Sequence, residues 1–173
     1  MASYYYLIAG LPDLKYDEEM PITYEEFLAR CEKEVSGATY KILKDLTLSS
    51  KDGPLIKEWY GMYENLMREL NCQRSAKLNK PYSVEYERDY ATVQVVSSAM
   101  SAKNPLEAEK ILLDYEFENL DSLVGQHIFD DIYLFGYAIK LKLLERQACF
   151  IQSKGQAEFK RLFDMVQQRV YSL

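Results

Sequence analysis

From Asp121 to the last residue the sequence holds one helical pattern longer than any other in the chain. Val124, Ile128, Ile132, Phe135, Ile139 and Leu143 step by three or four residues, the spacing of a single helix face. Between Ile132 and Leu144 apolar residues fall nearly all round, interrupted by Lys140 and Lys142. A helix of that kind is touched by neighbours on several sides, so it must be the internal spine of a helical protein. The spacing predicts one helix from Leu123 to about Gln152, with Gly125 and Gly136 allowing close crossings. A break near Ser153-Lys154-Gly155 then leads into a second amphipathic helix carrying Phe159, Leu162, Phe163, Val166 and Val170. A short connection between two such helices predicts an antiparallel hairpin.

The rest of the chain has the same grammar. Thr23 and Glu26 form the T-x-x-E start of a helix whose stripe is Phe27, Leu28, Cys31 and Val35. A run from Ala38 to Leu48 places Ile42, Leu43 and Leu46 together. After the turn residues Ser49 to Pro54, Leu55, Trp59, Met62, Leu66 and Leu70 share one face, with Lys57, Glu58, Glu64, Arg68 and Glu69 on the wet side. Asn71 to Pro81 read as a polar connection. Ser83 is placed to cap a helix over Val84 to Ala102, with the stripe Tyr86, Tyr90, Val93, Ser97 and Met100. Asn104-Pro105-Leu106-Glu107 starts another, ending near Phe117. The aromatic segment Ser3 to Leu11 is either a short strand or two helical turns, since so short a run has no decisive period. The expected fold is therefore all-α. It is a bundle of about six to seven helices with a long C-terminal hairpin, in one domain over 1–173 or in two subdomains (1–80 and 81–173) meeting near 71–82.

Charge is divided along the chain. Residues 1–80 carry 13 acids and 11 bases, 81–131 carry 11 acids and 3 bases, and 132–173 carry 3 acids and 7 bases. The acidic middle argues against a nucleic-acid binder, and the basic last quarter suits either an acidic partner or that acidic middle. Candidate partner-binding residues are Lys154, Lys160, Arg161 and Arg169 at the basic end, and Glu116 and Glu118 in the acid–aromatic stretch Asp114 to Asp121.

Chemistry is sparse. The one histidine, His127, has Asp130 and Asp131 at helical offsets but no nucleophile in an elbow context. Cys31, Cys72 and Cys149 are too scattered for a zinc site or a disulfide framework. No phosphate loop, dinucleotide fingerprint or zinc-protease motif is present. We expect no catalysis, cofactor or metal. The alternatives are a ligand-binding protein or enzyme with an interhelical pocket lined by His127, Tyr133 and Tyr137, or a protein-interaction adaptor. The apolar runs are too short to span a bilayer, and the start lacks a basic region before its apolar run, so a cytoplasmic location is expected.

Four stretches carry a family resemblance: the opening SYYYLIAGLPDL, the NPLEAE at Asn104 to Glu109, the FDD at Phe129 to Asp131, and YAIKLKLLERQACFIQSKGQAEFKRLF from Tyr137. They resemble a group of uncharacterised bacterial proteins encoded among the subunits of V/A-type rotary ATPases. That group is in turn distantly similar to the all-helical C (or d) subunit between central stalk and membrane ring. The resemblance implies a non-catalytic stalk-region subunit or assembly protein. Its partners would be other ATPase subunits, and it would meet the inner membrane only through the complex.

Overall fold

The computed structural model describes residues 4–150 and 152–171, with the side chains of the last helix described at 155 and 157–168. Among the described residues eight helices form and no strand occurs. They are α1 (Tyr5–Ala9), α2 (Tyr24–Cys31), α3 (Gly37–Asp45), α4 (Ile56–Lys77), α5 (Tyr90–Met100), α6 (Pro105–Val124), α7 (Asp131–Ala148) and α8 (Gln152–Tyr171). The aromatic opening is thus helical.

Local signals set most of the starts. Thr23 Oγ1 accepts from the Glu26 N–H at 3.2 Å while Glu26 accepts from the Thr23 N–H at 2.8 Å, the reciprocal capping box. Asn104 caps α6 through the Glu107 N–H at 2.8 Å, and Pro105 takes the position where a missing N–H costs nothing. The stripe of α4 is buried at Trp59, Leu66 and Leu70, and α4 continues through the expected connection to Lys77.

Two expected helices are redrawn. The pattern from Leu123 to Gln152 is not one helix. Helix α6 runs on past Phe117 to Val124, and Gly125 ends it at φ +56°, a conformation that favours glycine. Asp130 then caps α7 by accepting from the Tyr133 N–H at 3.1 Å. Gly136 does allow a close crossing: a Cβ there would lie 2.4 Å from Val124 Cγ2, so α6 and α7 approach at this point. The second change concerns residues 79–89, which form no helix. Asp89 rather than Ser83 caps α5, accepting from the Thr92 N–H at 2.8 Å, and the buried face is Thr92, Val96 and Ala99, with Tyr90 out in solvent.

Packing follows α7. Residues Leu134 to Ile139, Leu141, Leu143 and Leu144 are buried, because α2, α3 and α6 close on it from different sides. Lys140 and Lys142 interrupt this surface without being lost to it. Their ammonium groups lie 5.2 Å from the Phe117 ring centre and 3.5 Å from that of Tyr24, which stabilises a cation over an aromatic face. The main core draws on α1 to α4, α6 and α7; a smaller cluster joins Leu66, Leu70, Val96, Ala99 and Leu112. Each cluster takes residues from both sides of positions 71–82.

Helix α8 does not fold back on α7. Every described side chain in it is exposed, including Phe159, Leu162, Phe163 and Val166. The physical reason lies in α7, whose apolar surface is already covered and offers α8 no face.

Candidate functional site

Three groups of polar residues stand out, and the first two are structural clamps. Glu116 is 1% exposed on α6. Arg146 of α7 meets it with two parallel bonds of 2.9 and 2.5 Å, and its Nε donates to Glu109 at 2.7 Å. Glu116 is therefore not the surface partner-binding residue expected from the sequence; it is buried against the base thirty positions along the chain. Burial raises the Glu116 carboxyl above its ordinary value although Arg146 pulls the other way. Burial alone would lower Arg146, but its two carboxylates outweigh that and raise it. Glu118 remains exposed.

The second clamp holds residues 79–89 against α4. Glu69, expected on the wet side, is 1% exposed. Arg88 donates to it at 3.0 and 2.6 Å, Gln73 at 2.8 Å, and the Tyr86 hydroxyl also donates to it. Arg88, whose hydrogen bonds outweigh the effect of burial, holds the Glu69 carboxyl down at about 2. A group held below its ordinary value stabilises the fold above that value, so the clamp is complete above about pH 4.5 and fails only as pH falls toward about 2. Among the described residues, Tyr86 and Arg88 supply the side-chain hydrogen bonds from this strap to α4, while the Asn79 and Lys80 N–H groups donate to α4 carbonyls where the strap begins. We expect Glu69→Ala to free it, so that a glutamyl endoproteinase cuts at Glu85 and Glu87 at least about tenfold faster in a timed digest.

The third group surrounds His127. Its Nδ1 donates to Asp130 at 2.5 Å in the turn between α6 and α7. Burial pushes the Asp130 carboxyl up, but the bonds from His127 and the Tyr133 N–H outweigh it and hold it below its usual range. Asp131 accepts from the Tyr4 hydroxyl at 3.0 Å and from Thr39 at 2.8 Å. These carboxylates cap α7 and tie it to α1 and α3. His127 does not join Tyr133 and Tyr137. Those two stack, with centroids 6.5 Å apart, at a cavity of about 40 Å³ that Asp13 and Lys140 also line. That is room for water and far below the several hundred Å³ of a typical ligand site. The Tyr137 hydroxyl is already engaged, donating to the Pro12 carbonyl at 2.8 Å. A larger depression of about 710 Å³, between α3 and residues 49–56, is wide open and lined by Lys41, Asp45, Lys51 and Asp52 in mixed sign.

The surface with the character of a binding site is aromatic. Tyr4 anchors the opening segment by donating its N–H to the Phe129 carbonyl at 2.9 Å. The Tyr5 ring then meets Phe129 at 4.8 Å and Tyr6 at 5.5 Å. Tyr6 is 88% exposed, Ile128 57% and Tyr5 54%. Sequence reasoning noted both YYY and FDD but missed that they adjoin; the aromatic density of the opening was the available signal. Of the basic candidates, Lys160 and Arg161 are exposed, Arg161 pairing with Glu158 at 2.5 Å, while the side chains of Lys154 and Arg169 lie outside those described. No helix among the described residues is long and apolar enough to cross a membrane.

No family model, curated protein or solved structure matches this chain. The class rests on the geometry alone: an all-helical bundle with an exposed aromatic patch, whose buried charges join its helices.

Proposed function

We propose that this chain is a non-catalytic, interaction-bearing subunit or assembly protein of a bacterial V/A-type rotary ATPase. One observation carries the reading: two separate stretches of the resemblance, the YYY opening and FDD, meet in space and leave Tyr5, Tyr6, Ile128 and Phe129 as an exposed patch. A solvent-facing Tyr, Tyr, Ile, Phe group has the composition of a protein interface. The partner class comes from the sequence resemblance, and the location at the inner membrane follows from that partner. Wild-type protein, tagged and recovered from its native cells, should bring down ATPase subunits. Tyr6→Ala, at a position that packs little in its own domain, should weaken that association at least about tenfold while the fold stays intact. Isolation of a complete rotary complex lacking this chain would sink the subunit version; an assembly protein would come down with partial complexes alone.

A further inference from the structure

We propose that the chain self-associates through α8, two copies pairing these helices antiparallel. The described part of α8 presents Phe159, Leu162, Phe163 and Val166 at i, i+3, i+4 and i+7, with exposures of 70%, 48%, 52% and 60%. The Phe159 and Phe163 rings stack on one another, centroids 6.2 Å apart, and on nothing else described. The chain's own domain gives this stripe no seat. Helix α7, which precedes it, is buried from Leu134 to Leu144 save for Lys140 and Lys142. The outward bases of α7 are also engaged: Lys140 with Asp121, Lys142 with Glu145, and Arg146 with Glu109 and Glu116. The occupant therefore comes from outside.

Charge selects it. With Met165, 40% exposed, along its edge, the stripe is as wide as the apolar face by which a helix packs on a neighbour. A helix lying in a lipid surface carries a polar face dominated by bases. Here Glu158 and Asp164 stand among the bases, and Glu158 is paired with Arg161. Orientation follows from the charge of the whole chain. Residues 152–171 hold four bases and two acids, a net of +2, which leaves 17 bases and 25 acids, or −8, in the remainder. A parallel pair would bring two domains of charge −8 side by side. An antiparallel pair sets them at opposite ends of helices about 30 Å long, with the far end of each basic helix toward the other copy's acidic domain. Such a contact is the same patch on both copies, as twofold symmetry requires.

Sedimentation of the full chain from about 1 to 100 µM should show a monomer–dimer equilibrium. Phe159→Asp combined with Phe163→Asp should weaken it at least about thirtyfold. Neither ring packs on its own domain, so the melting temperature of this variant should be unchanged. A monomer throughout that range overturns the proposal, as does a dimer indifferent to the two substitutions. Orientation is read from Cys149, which is exposed just before α8. In a Cys72→Ser background, mild oxidation should leave Cys149 unlinked, because antiparallel helices hold the two copies of it apart. A cysteine placed mid-helix by Leu162→Cys, with Cys72 and Cys149 replaced by Ser, should link. A Cys149 disulfide between copies would overturn the antiparallel arrangement.

Discussion

Arg146→Ala is expected to lower the unfolding free energy by about 3 kcal/mol, the low end of the range for breaking a buried ion pair. Removal of the guanidinium leaves Glu116, 1% exposed, without its bidentate partner and strands Glu109 beside it. The low end applies because the Arg146 side chain keeps 25% of its surface in water, which screens part of the interaction. The deficit should depend on pH in a definite direction. Burial already raises the Glu116 carboxyl. Without Arg146 that rise grows, so the folded state binds the proton more tightly than the unfolded chain does. Stability is then regained as pH falls, and the gap between variant and wild type should be narrower at mildly acidic pH than at neutrality. Urea denaturation at the two pH values measures both effects. A triple replacement of Glu109, Glu116 and Arg146 by Leu, Leu and Met should recover much of the loss, since it removes every charge together. A neutral Arg146→Ala would show that the triad is solvated.

Gly136→Ala is expected to cost about 2–3 kcal/mol, although alanine is otherwise the better helix residue. The added Cβ would stand 2.4 Å from Val124 Cγ2 and 3.7 Å from Leu55 Cδ2. Val124 is β-branched and buried at a helix end, so it cannot swing aside as a long side chain would. Its own truncation, Val124→Ala, should cost about 1–2 kcal/mol from lost burial. The two changes together should cost clearly less than their sum, because one vacates the space the other fills. Thermal unfolding of the two singles and the double measures that coupling. Strict additivity would mean that α6 and α7 separate at this crossing.

The sequence is most legible where structure is decided within one turn of helix. The Thr23–Glu26 box, the Asn104-Pro105 start and the α4 stripe are fixed by neighbours three or four positions away. The false continuity at residues 125–130 arose because Ile128 and Ile132 keep the helical step across the turn, although Ile128 faces solvent. Gly125 and Asp130 were the better guides, as a glycine terminator and an aspartate cap. At 83–89 the acids Glu85, Glu87 and Asp89 alternate with Tyr86 and Arg88, a two-residue period that marks extended chain. Glu69 and Glu116 were not legible at all. An acid on a helix reads as a wet position unless its base is known, and those bases arrive from 19 and 30 residues further on. The aromatic site was half legible for the same reason: both pieces could be named, but their meeting is a tertiary event. The stripe of α8 could be read, but its exposure follows from the crowding of α7 by other helices.

The opening segment is fastened to the far end of the domain. Tyr4 bonds to Asp131 across 127 positions, Tyr137 to the Pro12 carbonyl across 125, and Gln147 to the Tyr16 carbonyl across 131. During synthesis on a ribosome, this aromatic stretch leaves the exit tunnel long before any of those mates exists. Its docking is therefore a late event, delayed until α7 has emerged, while the smaller Leu66–Val96–Leu112 cluster can close early over a shorter loop. In the interval Tyr4 to Leu14 lack the cover that α7 supplies. A holding chaperone, or an early-binding partner, would find that part of their surface open.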